Sequence, residues 1–183
     1  PWSDMHAIAD LKWQYCTPIQ AQLLEHTLGG RDATAKAQTG TGKSASFILT
    51  LLARFLKNQI KHKKGSPRAI ILAPTRELVH QIEKDFKALA RYTPIRIVSV
   101  YGGTGYHKQQ QQLTEKPVDV IAATPGRLID FMGKRLIDAS RVEVMVIDEA
   151  DRMLDMGFIP DVRRIVLKTP HKDKRQTLFF SAT

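Results

Sequence analysis

Cysteine is almost absent. Cys16 is the single one among 183 residues, so the chain can form no internal disulfide and no cysteine-rich zinc site, and Cys16 is expected to be a small packing residue. The six histidines (His6, His26, His62, His80, His107 and His171) are scattered, without the close pairings of a zinc protease or a zinc finger, and no structural metal is expected. No apolar run approaches the roughly 20 residues of a membrane-spanning helix. The N-terminal stretch also lacks the basic-then-apolar order of a secretory signal. A soluble, cytoplasmic protein with no membrane contact is therefore expected. Acidic residues are outnumbered, 18 Asp and Glu against 28 Lys and Arg, for a net charge of +10. Such a balance favours a polyanionic partner through summed potential, but does not name one. Repeats and internal linkers are missing too. At 43% hydrophobic content the chain is long enough for one domain with a full core and short for two.

What is present is organised around Ala37-Gln38-Thr39-Gly40-Thr41-Gly42-Lys43-Ser44. This stretch fits the phosphate-cradling P-loop pattern, with Ala37 in place of its first glycine. Gly40 and Gly42 let the backbone wrap tightly and aim successive N–H groups inward, together with those of Thr39 and Thr41. Lys43 can reach the outer phosphates, and Ser44 can ligate a magnesium ion. Downstream, Ile48, Leu51, Leu52, Phe55 and Leu56 recur at the spacing of a buried helical stripe, so a helix N-terminus adds its positive end to the site. A plain Gly/Thr turn would not need that helix. Gly40 to Ala45 also satisfies a dinucleotide-binding G-x-G-x-x-A pattern. That pattern wants an acidic residue about 20 positions on, where this chain has Ile60-Lys61-His62-Lys63-Lys64.

The remainder alternates strand and helix. Thr17 before Pro18 reads as a helix cap with a first-turn proline, opening a helix through Leu23, Leu24 and Leu28 that ends at Gly29-Gly30. Arg31 to Ala37 is placed as the strand feeding the P-loop by context alone, since its alanines are poor strand formers. Arg68–Ala73, Ile95–Tyr101, Val118–Ala123, Glu143–Ile147 and Thr177–Phe180 read as buried strands. Helical patterns lie between them, for instance Leu78, Ile82, Phe86 and Leu89, then Phe158 or Ile159, Val162, Ile165 and Val166. Such alternation predicts an α/β fold with right-handed crossovers, a mostly parallel sheet covered by helices on both faces, and ligand loops outside the carboxyl ends of the strands. The basic stretch Arg54, Lys57, Lys61, Lys63, Lys64, Arg68 is read as a solvated connector, and Gln109 to Gln112 as an exposed helix face.

One of the expected strands, Val142 to Ile147, runs into Asp148-Glu149-Ala150-Asp151, so carboxylates emerge where a parallel strand meets its loop. With a P-loop upstream, Asp148 would hold magnesium through its water shell. Glu149 would orient or deprotonate the water that attacks the terminal phosphate. An acidic helix N-terminus is the plainer alternative, but it leaves the magnesium and phosphates of the P-loop without a partner.

With AQTGTGKS and DEAD in that order, the chain resembles the first RecA-like lobe of a DEAD-box RNA helicase from Trp13 to Thr183, spanning 1–183 as one ATP-binding domain. Within the family YCTPIQ, YGGTGYHKQ and DEADRMLDMGFI are most similar to the bacterial RhlB type. The resemblance implies a RecA-like P-loop fold, ATP and magnesium as cofactors, and RNA as partner, single-stranded or in short duplex. RNA-decay or ribosome-assembly proteins are further candidate partners. Thr17-Pro18-Ile19-Gln20 is similar to the family's Q motif, where Gln20 would read the adenine edge and Trp13 would stack on the ring. The family's further upstream phenylalanine would precede Pro1, so adenine affinity is expected to be lower.

Pro74-Thr75-Arg76, Gly102-Gly103 and Thr124-Pro125-Gly126-Arg127 resemble the family's RNA-backbone contacts. Their chemistry suits such contacts, since Thr124 can cap a helix beginning at Pro125, Gly126 admits a phosphate, Arg127 offers a charged fork, and Thr75 with Arg76 repeats the arrangement. Ser181-Ala182-Thr183 resembles the motif whose hydroxyls, here Ser181 and Thr183, bind Asp151 and couple nucleotide state to RNA grip. Beginning at Pro1 without an initiator methionine and stopping at that motif, the chain is expected to be a piece of a longer one, lacking the second RecA-like lobe. Such a piece would bind nucleotide but barely hydrolyse it, because the arginine fingers of the missing lobe are worth on the order of 10³ to 10⁵ in rate. A non-catalytic, nucleotide-gated adaptor for RNA or protein is the competing reading, and a P-loop ATPase acting on DNA or protein a third.

Overall fold

The computed structural model describes residues 18–36 and 43–182. Six strands, β1 (Ala33–Lys36), β2 (Ala69–Leu72), β3 (Ile97–Val100), β4 (Val120–Ala123), β5 (Val144–Ile147) and β6 (Gln176–Ser181), form one sheet in the order β1-β6-β5-β2-β4-β3. Every pairing is parallel. α1 (Pro18–Leu28) precedes β1, and the crossovers that parallel neighbours require are supplied by α2 (Lys43–Lys57), α3 (Arg76–Leu89), α4 (Tyr106–Glu115), α5 (Pro125–Gly133), α6 (Ala150–Asp155) and α7 (Ile159–Leu167).

Alternation along the strands divides the core in two. Ile71, Val146, Leu178 and Phe180 face α2 and α3, meeting Phe47, Leu51, Phe55, Ile82 and Phe86. Ile70, Leu72, Ile121, Met145 and Ile147 face the other way, onto Leu113, Leu128, Phe131, Met153 and Ile165 from α4 to α7. Strands covered on both faces can be apolar throughout, which is why β2 to β5 read as continuous runs. β1 is the exception: an edge strand paired only to β6, half-buried on one side and exposed on the other. Its Ala-Thr-Ala-Lys sequence therefore carries little strand signal of its own.

Register sets the level of the functional edge. Leu72 is opposite both Ala123 and Ile147, and Val100 is opposite Ala123. The loops after β2, β3, β4 and β5 thus start at one height, on the side where α2 begins.

Two expectations are corrected. The paired strands stop one or two residues inside most of the apolar runs, although flanking backbone still bonds across the sheet, Ala73 N–H donating to the Ala123 carbonyl and Glu143 N–H to that of Arg68. The basic stretch from Arg54 to Arg68, which begins within α2, is not uniformly solvated: Arg68 is buried, its guanidinium bonded to both oxygens of Glu143 and packed over the Phe55 ring, while half-buried Arg54 donates to Glu143 at 3.0 Å. Among the described residues no helix is long and apolar enough to cross a membrane.

Candidate nucleotide and nucleic-acid site

The strand order sorts the candidate residues along the carboxyl edge of the sheet. From one side to the other come Lys43 (opening α2, the helix that follows β1), Ser181 (ending β6), Asp148 to Asp151 (after β5), Pro74 to Arg76 (after β2), Thr124 to Arg127 (after β4) and Gly102-Gly103 (after β3). The expected nucleotide residues occupy one half of the edge and the expected RNA residues the other. Asp148 and its neighbours sit where the two halves meet.

At the centre of the nucleotide half, the Lys43 amine at the start of α2 lies 2.7 Å from Asp148 Oδ1. Lys43 is 9% exposed and Asp148 1% exposed. Burial pushes the Asp148 carboxyl above its ordinary value, against the opposing pull of the Lys43 charge. Oδ1 also accepts the Glu149 N–H at 3.0 Å, whereas Oδ2 is buried and has no hydrogen-bond partner among the described residues. An orphaned buried carboxylate oxygen is costly to leave unsatisfied. It is the acceptor a magnesium-bound water requires, so the donor set fits that ion.

Glu149 holds φ 49°, ψ 51° as the residue preceding α6. A side chain in the left-handed region costs on the order of 1 kcal/mol, and here that conformation turns the chain sharply between strand and helix, separating the paths of two adjacent carboxylates. Ser44 is committed elsewhere: its hydroxyl donates to Asp85 Oδ2 of α3 at 3.0 Å, with Gln81 donating to the other oxygen. Magnesium ligation by Ser44 therefore requires that hydrogen bond to be given up. Asp151 opens α6, which packs against β6, so Asp151 and Ser181 belong to adjoining elements. Trp13, Thr17, Thr39, Gly40, Thr41, Gly42 and Thr183 lie outside the described residues; Gln20 is placed in α1 by its backbone.

In the other half, Thr75 caps α3, its hydroxyl accepting the Leu78 N–H at 3.2 Å. Arg76 is half-exposed, in a loose 3.9 Å pair with Glu77. Pro74 is buried beneath them. Thr124 precedes Pro125 at the start of α5, but its side chain makes no cap; only its backbone carbonyl accepts, from Leu128 N–H at 3.3 Å. The expected Thr124 cap is thus corrected. The α5 N-terminus, whose Pro125 has no N–H to satisfy, holds through its backbone alone. Gly103 has φ 94° and open space beside it, so its glycine answers to backbone conformation and not to crowding. Arg127 lies over the rings of Tyr106 and Phe131 and donates to Gln109 Oε1 at 3.1 Å.

Gln109 overturns the exposed reading of the glutamine run. It is buried, on the same face of α4 as Leu113. That i, i+4 pairing with a leucine was the available signal. Tyr106 carries no such local signal, since Arg127 and Phe131 lie far away in the chain, and neither does the Ser44 contact of Asp85, 41 positions distant.

Comparison with known proteins agrees with this layout. Residues 17–183 match the model of the DEAD/DEAH box helicase family. The chain belongs to that family. It is 54% identical to the ATP-dependent RNA helicase RhlB of Pseudomonas aeruginosa over 98% of this chain and 46% of that protein. It is 53% identical to RhlB of Pseudomonas putida over the same shares. The crystal structure of the yeast DEAD-box splicing factor Prp28 superposes with a TM-score of 0.83 at 34% identity, covering 92% of this chain and 40% of the other. This DEAD/DEAH box helicase domain thus spans less than half the length of the relatives it matches, and its parallel six-stranded sheet is the RecA-like fold.

Proposed function

We propose that this domain is the ATP-binding, RNA-contacting first lobe of an ATP-dependent RNA helicase of the RhlB type, which separates short RNA duplexes by gripping one strand and releasing it on hydrolysis. The single observation that carries the reading is the buried Lys43–Asp148 contact with Asp148 Oδ2 left unpartnered among the described residues, on the same sheet edge as three candidate RNA-backbone loops.

Lys43 would hold the outer phosphates and leave Asp148 to the magnesium shell; Ser44 would join that shell after release from Asp85. Magnesium, when bound, neutralises developing charge on the phosphates. Glu149 orients the attacking water and takes its proton. Gln20 has the donor and acceptor needed for an adenine edge, and Trp13 would stack on the base. Pro74 to Arg76, Gly102-Gly103 and Thr124 to Arg127 bind phosphate and sugar, so recognition is largely independent of base sequence. Full turnover needs a second RecA-like lobe outside these 183 residues. The protein acts in the cytoplasm, and RNA-decay or ribosome-assembly proteins are the partners proposed for it. An adaptor would have no use for a water-activating carboxylate at Glu149.

The test is RNA-stimulated ATP hydrolysis by the full-length protein, with single-stranded RNA and DNA competing for it in the presence of a nonhydrolysable ATP analogue. Stimulation by RNA together with RNA preference supports the reading. Equal DNA binding, or ATP turnover indifferent to RNA, overturns it.

A further inference from the structure

We propose that Gln109 is a positioning residue that locks Arg127 and the Gly102–Gly105 loop into one RNA-facing unit; this rests on the reading that these elements contact the RNA backbone. Gln109 is 3% exposed and stands in the first turn of α4, just after the loop. Its side-chain oxygen accepts from Tyr101 N–H at 3.1 Å and from Arg127 Nη1 at 3.1 Å. Its amide nitrogen donates to the carbonyls of Tyr101 and Thr104, each at 3.2 Å. Two acceptor sites and two donors are the whole capacity of a glutamine amide, and all are used.

Those bonds bridge two separate strands' ends. Tyr101 and Thr104 bracket Gly102-Gly103 after β3, while Arg127 belongs to the loop and helix after β4. β3 is one of the sheet's two edge strands, so Tyr101 has no neighbouring strand on its outer side to hold it, and Gln109 takes that place. Gly105 fits the same device: a Cβ there would come within 3.1 Å of the Gln109 amide nitrogen. The Arg127 guanidinium is fixed by Gln109 through one nitrogen and by the rings of Tyr106 and Phe131 across its face. Nε and Nη2 keep no hydrogen-bond partner among the described residues, which leaves two donors in a fork suited to a phosphate.

The experiment uses the full-length protein with a nonhydrolysable ATP analogue and single-stranded RNA, across a salt series. Gln109→Leu, Arg127→Ala and the double variant are compared, with nucleotide binding measured without RNA. Gln109→Leu is expected to weaken RNA binding about tenfold, the scale of one charge-assisted contact. It should lower the salt slope by about 0.7, as expected for one lost phosphate contact on a single strand. The double variant should lose less than the product of the two single losses, and nucleotide binding should be unchanged. RNA affinity within twofold of the parent for Gln109→Leu, while Arg127→Ala is impaired, overturns the proposal alone, as do independent, multiplying losses. An Arg127→Ala variant with parental RNA affinity and salt slope overturns the underlying RNA reading as well. If Gln109→Leu does not fold, Gln109→Glu replaces it. That variant keeps an oxygen for Arg127 but sets a carboxylate against two carbonyls, so weaker RNA binding at an unchanged salt slope supports the lock and unchanged affinity refutes it.

Discussion

The Lys43 amine and the Asp148 carboxylate, far apart in the chain, meet at 2.7 Å in a nearly water-free setting. Each compensates the other's burial, and in the proposed function each is needed elsewhere once a triphosphate enters. Lys43→Ala should therefore remove a phosphate ligand and strand Asp148 together. We expect nucleotide affinity to drop about a hundredfold, the scale of losing one member of a desolvated charged contact. Glu149→Gln keeps the shape and the backbone turn but removes the proposed base. It should bind nucleotide like the parent while turnover by the full-length enzyme falls about 10² to 10⁴-fold. Titration with a fluorescent ATP analogue beside steady-state hydrolysis separates the two, and equal loss of binding would show that Glu149 has another role.

A second consequence concerns α1, which carries Gln20. Its far end is tied down by Gln176 of β6, whose buried amide donates to the carbonyls of Thr27 and Arg31 at 2.8 and 2.7 Å, and by a 2.7 Å contact between the Thr27 and Thr50 hydroxyls. Gln176→Leu leaves two carbonyls unsatisfied and should cost about 2 kcal/mol. If α1 positions the adenine, the same variant should weaken ATP more than inorganic triphosphate, measured by competition. Equal weakening of both would detach α1 from base recognition.

The motifs were legible in the sequence because phosphate chemistry demands fixed residue types at fixed spacing: Lys43 and Asp148 could be paired before any geometry was known. The parallel sheet was legible for a similar reason, since Ala69–Leu72 and Val144–Ile147 have no exposed face on which to place a polar residue. The strand order was not, because nothing local in Gln176–Ser181 says that it inserts between β1 and β5. Buried polar residues were hidden for the same cause. Gln109 within a glutamine run and Arg68 within a basic run look solvated until Arg127 and Glu143 are brought to them by other crossovers.

That Arg68–Glu143 pair yields a pH prediction. Burial pushes the Glu143 carboxyl up, but the hydrogen bonds and charges of Arg68 and Arg54 outweigh it, and the carboxyl titrates below its ordinary value of 4.5. A lowered folded-state value means that the unfolded chain binds the proton first. The contribution is therefore complete above the ordinary value and is lost as pH falls through the lower folded one. Glu143→Gln should cost about 3 kcal/mol at pH 7 by stranding the buried Arg68. The gap between parent and variant in denaturation midpoint should close as pH drops below 4.5. A gap that persists unchanged into that range would mean that shape, not charge, holds the pair.

Thr75 and Thr124 occupy equivalent positions at successive strand ends, yet only Thr75 caps its helix through its side chain. The Thr75 hydroxyl is engaged with Leu78 N–H. That of Thr124 has no partner among the described residues and is available to a ligand. Thr75→Ala should thus lose about 1 kcal/mol of stability, seen as a lower thermal midpoint, whereas Thr124→Ala should lose much less. RNA affinity should respond in the opposite order, with Thr124→Ala weakening it more than Thr75→Ala, because a hydroxyl already serving a helix cap has less to offer a phosphate. Parallel thermal melts and RNA titrations of the two variants in the full-length protein would check both halves. A Thr124→Ala variant that loses as much stability as Thr75→Ala and keeps its RNA affinity would show that the hydroxyl serves the fold and not the nucleic acid.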